Sequence, residues 1–324
     1  MPHTIEVENL TKGFDGVRAV SDISFTVEPG ELFGFLGPNG AGKTTTINIL
    51  TGLARPDRGT VRIGDINCTR RPRRAQHLIG VVPDESNLYP ELTGRDNLCF
   101  CASLYGMGKA ERRARAEELL DGFSLSEAAE RKFAGYSKGM KRKLTIAAGI
   151  IHRPRILFLD EPTTGIDVAS ARQLRRIVAD LHRGGTTIFL TTHYIEEAER
   201  LCQRIAFLVS GRIVRIAGVE ELLQPAQAAH TLQISTNGDI QDMEKDIARA
   251  FPNLELSFPG QGLLRASSSA PIQAGALVHF LESSGVEVYE ARRIRPSLED
   301  VFVRITGIEA ETLKTGSENR GTTS

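Results

Sequence analysis

The chain has 324 residues, 40% of them apolar, enough for a full-sized core and for two domains of ~150 residues each. Its 40 lysines and arginines balance 40 aspartates and glutamates, so the net charge is zero and nothing favours a global attraction to nucleic acid. No run approaches the roughly 20 apolar residues of a bilayer-spanning helix, the start Met1–Glu6 lacks the parts of a secretion signal, and the four cysteines (Cys68, Cys99, Cys101, Cys202) have no zinc spacing. A soluble, intracellular chain is expected, with Cys99 and Cys101 as buried thiols in an apolar stretch.

Thr4–Glu8 and Ser24–Val27 alternate like half-buried strands, with a turn between Gly13 and Gly16. Leu32–Leu36 is nearly all apolar, as expected of a strand buried on both faces. It runs into a glycine-rich loop at Gly37, after which a helical pattern covers Thr44–Leu53. Residues 92–151 read as mostly helical, Ala110–Leu120 being rich in strong helix formers. Buried strands at Ile156–Leu159 and Thr186–Leu190 flank a helix over Ala169–Arg183, and such alternation predicts a parallel α/β sheet. Beyond about Gln224 the order changes to β-α-β-β-α-β, that of a ferredoxin-like module, through Val286–Tyr289. Ser297 is placed to cap a last helix reaching Arg304, and the polar tail over 308–324 is expected to be disordered.

Gly37-Pro38-Asn39-Gly40-Ala41-Gly42-Lys43-Thr44 fits the P-loop pattern G-x-x-x-x-G-K-[ST] between a buried strand and a helix. Its glycines let successive main-chain N–H groups turn inward toward phosphate oxygens, and the helix N-terminus adds a favourable dipole. Lys43 is expected on the β- and γ-phosphates and the Thr44 hydroxyl on magnesium. The wording Gly37 to Thr45 resembles that of ABC ATPases rather than kinases or small GTPases.

Leu157-Phe158-Leu159-Asp160-Glu161 delivers two acids at the carboxyl end of a buried strand, where parallel sheets bind ligands. Hydrolysis of a triphosphate needs one carboxylate in the magnesium shell and another to orient water; the resemblance gives Asp160 the first role and Glu161 the second. Tyr136-Ser137-Lys138-Gly139-Met140 resembles the ABC signature in its Ser-x-Gly core, although Lys138 and Met140 depart from the usual Leu-Ser-Gly-Gly-Gln. Ser137 and Gly139 are then implied to bind the γ-phosphate held by another subunit. The charges on Lys141 and Arg142 read as a solvated helix start. Gly165-Ile166-Asp167 resembles the loop joining the two sites of the family's dimer, and His193, after Thr191-Thr192, resembles its switch histidine. Phe14 stands where the family stacks an aromatic on adenine, with a core phenylalanine as the competing reading. Asp84, in Pro83-Asp84-Glu85, replaces a glutamine expected to touch magnesium and the attacking water and to sense the membrane partner. Slower or more tightly gated hydrolysis is expected from it.

The resemblance therefore implies an α/β fold, a P-loop NTPase of ABC type with a β-rich N-terminal part, a parallel sheet core and a helical subdomain over about 92–151. Over residues from about 5 to 220 it implies an ATP-binding domain, bounded at 1–224, with ATP and magnesium as cofactors, and the pattern beyond it is read as an α+β accessory domain over 225–307. Its implied partners are a second copy of the chain, head to tail, and a separate membrane permease on whose cytoplasmic side the chain would sit. Leu298–Gly307 resembles the ending of ATPase subunits of daunorubicin-type exporters, which points to export. Soluble ABC-type translation or repair ATPases usually carry two P-loop domains or a long coiled-coil insertion, and a non-catalytic regulator should lack Lys43 or Glu161; the sequence has neither insertion nor loss.

Overall fold

The computed structural model describes residues 4–227, 230–294 and 297–308, which fall into two compact units divided at Gly218 and Val219. The first unit opens with β1 (Ile5–Phe14) and β2 (Val17–Val27), an antiparallel hairpin closed by Asp15 and Gly16, both at positive φ. An Asp-Gly pair suits this two-residue turn because its backbone twist matches the strands. β3 (Leu32–Leu36) leads into the glycine loop and α1 (Lys43–Leu50). β4 (Arg58–Ile63), β5 (Ile66–Asn67) and α2 (Pro72–Gln76) follow, then β6 (Ile79–Val82). The helical part holds α3 (Gly94–Leu104), α4 (Lys109–Gly122) and α5 (Lys138–Gly149). β7 (Ile156–Asp160), α6 (Val168–Arg183), β8 (Thr187–Thr192), α7 (Ile195–Leu201), β9 (Arg204–Val209) and β10 (Arg212–Gly218) complete the unit.

Two sheets result. The antiparallel one has the order β2-β1-β4-β5, and the other runs β10-β9-β3-β8-β7-β6. β9, β3, β8, β7 and β6 are parallel, with β10 antiparallel at the edge. Phe25 of the first sheet meets Phe33, Phe35 and Phe189 of the second at ring-centroid distances of 5.6, 5.6 and 5.9 Å. Such contacts contribute about 0.5–1.5 kcal/mol each beyond area burial. β3, β7 and β8 are buried at every residue, which explains the apolar runs Leu32–Leu36, Ile156–Leu159 and Ile188–Leu190 within them. This rigid centre fixes where the parallel strands end.

The second unit, Val219–Arg304, holds α8 (Val219–Gln227), β11 (His230–Thr236), α9 (Glu244–Ala250), β12 (Glu255–Gly260), β13 (Leu263–Ser268), α10 (Ala274–Ser283) and β14 (Val288–Ile294), and α11 (Leu298–Thr306) begins within it. The β-α-β-β-α-β order closes as an antiparallel sheet β12-β13-β11-β14 over a core of Leu232, Ile234, Ile247, Leu264, Leu277 and Leu281. Ser297 caps α11, its hydroxyl accepting from the Asp300 amide at 3.3 Å while Asp300 accepts from the Ser297 amide at 2.9 Å. The tail expected to be disordered lies outside the described residues beyond Ile308.

Some expectations are corrected. Cys99 and Cys101 are only half-buried. Leu98 and Ala102, four apart on α3, face the core, so the residues beside them in sequence turn to its flanks. The solvated helix start is also wrong at Arg142, which is 6% exposed.

Candidate active site

The loop after β3, the acids at the end of β7 and the histidine after β8 all stand at the carboxyl edge of the parallel sheet. Leu36 pairs with Thr192, and Asp160 pairs with Thr191, so the three strands end level. Asp84 follows β6, whose Val82 pairs with Leu159.

The loop from Gly37 to Gly42 passes close under neighbouring backbone. A Cβ on Gly37 would lie 2.1 Å from the Leu208 carbonyl oxygen, and one on Gly42 would lie 2.2 Å from that of Ala19. Gly42 also has φ +103°, a region open to glycine. Within the loop the buried Ala41 donates its amide to Pro38 at 3.2 Å, and Asn39 and Gly40 form its turn.

Lys43 is 5% exposed, and its ammonium group reaches the carbonyls of Gly37 at 2.7 Å and Pro38 at 3.1 Å and Glu161 Oε1 at 3.0 Å. Two carbonyl hydrogen bonds and an ion pair surround the ammonium group, which is what permits a charged lysine to be buried. Glu161 Oε2 accepts from His193 Nδ1 at 2.8 Å, in the tautomer selected by that contact. Burial pushes the Glu161 carboxyl up, but the His193 hydrogen bond and the Lys43 charge outweigh it and hold the group below the ordinary range. His193 itself is 4% exposed.

Asp160 accepts from the Thr191 hydroxyl, with the Thr44 hydroxyl as a neighbour, and burial raises its pKa against their influence. Thr45 follows Thr44 on α1, half-buried. Asp84 is exposed as a whole residue, yet partial burial of its carboxyl raises its pKa, with Arg142 opposing and Asp160 and Glu161 adding to the rise. Among the described residues no three His, Cys, Asp or Glu side chains converge as a metal cage.

A second cluster forms where α5 and α6 begin. Ser137 caps α5, accepting from the Met140 amide at 3.3 Å, so the helix starts earlier than its Lys141 sequence signal. Asp167 caps α6, accepting from the Ser170 amide at 2.9 Å and hydroxyl at 2.6 Å. Gly139 packs against this cap, since a Cβ there would fall 2.4 Å from Ser170 Oγ. No hydrogen bond among the described residues ties Ser137, Gly139 or Asp167 to Lys43 or Thr44. Phe14 stands at the hairpin end of β1, 51% exposed with Lys12 Nζ 5.0 Å from its ring centroid, so it is not a core residue.

Arg142 and Glu197 are among the buried charges that sequence reasoning missed. Arg142 lies four residues before the buried Ile146 on α5, and that spacing was its available signal. Glu197, four after His193, is 2% exposed; the Thr163 and Thr192 hydroxyls are its neighbours, but neither reaches its carboxyl oxygens in hydrogen-bond geometry. Burial raises its pKa.

A phosphate-cradling loop, a buried lysine and paired acids at one sheet edge define a P-loop nucleotide hydrolase. The ABC transporter family model matches residues 20–164. The linearmycin resistance ATP-binding protein LnrL of Bacillus subtilis is 34% identical over 310 residues, covering 94% of this chain and 98% of that protein. The daunorubicin/doxorubicin resistance ATP-binding protein DrrA of Streptomyces peucetius is 37% identical, covering 95% and 93%. Among solved structures, an ATP-binding subunit of an ABC transporter is 31% identical with a TM-score of 0.63, covering 68% of this chain and 92% of its own. A dimeric ABC cassette in a post-hydrolysis state with ADP and Pi is 28% identical with a TM-score of 0.61, covering 66% and 98%. The chain belongs to the ABC transporter family of ATP-binding subunits, and it is an ATPase.

Proposed function

We propose that ATP hydrolysis by this chain energises export of a drug, antibiotic or lipid-like cargo through a separate membrane permease. The observation that carries the catalytic part is the buried contact of Lys43, Glu161 and His193 beside the glycine loop. Phosphate oxygens compete for the Lys43 ammonium; as they take it, Glu161 Oε1 is released to orient water while His193 keeps Oε2. The main-chain amides from Gly37 to Thr45 cradle the phosphates, and Phe14 offers an exposed ring for the adenine. Thr44 and Asp160, neighbours in the site, are hard oxygen donors that fit magnesium, with Asp84 as a further one. Bound there, magnesium would neutralise charge on the phosphates.

A second copy, head to tail, completes each site in this reading. Ser137 and Gly139 of one chain face the triphosphate on the other's Lys43 loop, and Asp167 lies in the joining loop. The dimeric state of the related cassette supports that arrangement. Export is supported by relatives named for antibiotic resistance that match almost end to end. Among the described residues no helix is long and apolar enough to cross a membrane, and the proposal puts the transport path in the permease and the chain on its cytoplasmic face. A cavity of about 730 Å³ bordered by Pro83, Glu85, Leu88, Cys101, Leu104 and Tyr105 offers the permease a seat that touches the Asp84 loop. The same proposal divides the chain into an ATP-binding domain over 1–224, an accessory domain over 225–307 and a tail.

Co-purification with the permease, followed by a screen for compounds that stimulate ATPase activity, tests the proposal. Stimulation by an amphiphilic antibiotic or lipid-like compound is expected; a rate indifferent to both permease and compounds counts against export.

A further inference from the structure

Arg142 stands outside every role assigned so far, one turn into α5 from the Ser137 cap. Its guanidinium is turned into the protein and fastened to two separate stretches of chain. Nε donates to the Pro162 carbonyl at 2.9 Å, Nη1 donates to the carbonyls of Pro83 and, at 2.8 Å, Asp84, and Nη2 donates to the Asp160 carbonyl. Those carbonyls belong to the loop after β6, the last residue of β7 and the turn beyond Glu161. Asp84, Asp160, Glu161 and Glu197 surround the group with negative charge that favours its cationic form against burial. A planar fork of five donors suits this task, and a lysine, a point charge with no fixed plane, cannot reproduce it.

We propose that Arg142 is a positioning residue for hydrolysis: it locks the Asp84 loop and the Asp160–Glu161 turn to the signature helix, so that they move as one body. The inference rests on the composite-site reading for its second consequence. α5 carries Ser137 and Gly139 toward the partner chain's nucleotide, while Arg142, on the same helix, holds the acids of its own chain. Engagement of the signature by the partner's triphosphate is thereby transmitted to the local water-orienting carboxylate through one rigid helix turn. Pro83, held by Arg142, also borders the 730 Å³ cavity, so a permease segment seated there acts on the same body.

Arg142→Lys and Arg142→Gln in the full-length chain test this, with kcat, KM for ATP, the Hill coefficient and Tm measured together. Both variants are expected to lose tenfold or more in kcat while KM changes less than threefold, and the Hill coefficient is expected to fall toward 1. Lysine should not rescue. A kcat within twofold of wild type in Arg142→Lys would overturn the proposal, as would loss of kcat with the Hill coefficient unchanged for the link between sites. Collapse of both variants to unfolded protein would assign Arg142 to stability alone and also overturn it. Failure of the export reading shows separately, as a wild-type rate blind to the permease.

Discussion

Lys43 Nζ and Glu161 Oε1 lie 3.0 Å apart with 6% and 9% of their side chains exposed. The cation of the glycine loop and the acid after β7 thus neutralise each other inside the protein. An unpaired charge at either position would be costly, because removing one partner of a buried pair leaves the other uncompensated. In the proposed mechanism, entry of a triphosphate exchanges one anion for another at Lys43 and sets the acid free.

Glu161→Gln keeps the shape of the side chain but removes its basicity. ATPase activity is expected to fall about 100-fold or more, while ATP still binds. On a sizing column at saturating ATP the variant should run as a dimer. A variant that stays monomeric under those conditions contradicts the shared site.

Asp84→Gln removes one negative charge from beside Asp160 and Glu161 and restores an amide donor. The basal rate should rise by about threefold to tenfold, equivalent to roughly 0.7–1.4 kcal/mol at the barrier. An unchanged steady-state rate would show that Asp84 does not govern hydrolysis.

Glu197 gives a pH prediction of definite sign. Its folded pKa is raised above the ordinary 4.5 by burial. Its contribution to stability is therefore complete below about that pH and declines as pH rises through the folded value. Glutamine does not titrate, so Tm of Glu197→Gln relative to wild type should climb between pH 5 and pH 8. A difference in Tm that is flat with pH would refute the assignment.

Phe189 packs against Phe25, Phe33, Phe35 and Phe158 between the two sheets. Phe189→Ala should cost about 3–5 kcal/mol of stability, read from urea unfolding. A loss below about 1 kcal/mol would mean that the sheets repack around the gap.

The glycine loop, the acids and the parallel strands were legible because each is a local pattern: an apolar run followed by residues with chemistry. The helix after the signature was legible but was started late, at Lys141, since Gly139 looks like a helix breaker until its packing on Ser170 is seen. Arg142 and Glu197 were missed for a different reason. A charged residue on an amphipathic helix is assigned to solvent by default, and only tertiary neighbours distant in sequence, such as Pro83 and Asp160 for Arg142, turn it inward. Cys99 and Cys101 failed because hydropathy of a segment says nothing of which side of α3 each occupies.

Glu161 sits at φ +47°, where a residue with a Cβ is rarely found. Glycine or asparagine would hold that backbone more comfortably, so the fold bears a standing penalty of order 1 kcal/mol to keep the carboxylate aimed. Thermostability selection left to itself should therefore drift toward inactive replacements at this position, and an engineered heat-resistant form of the protein must seek its gains elsewhere.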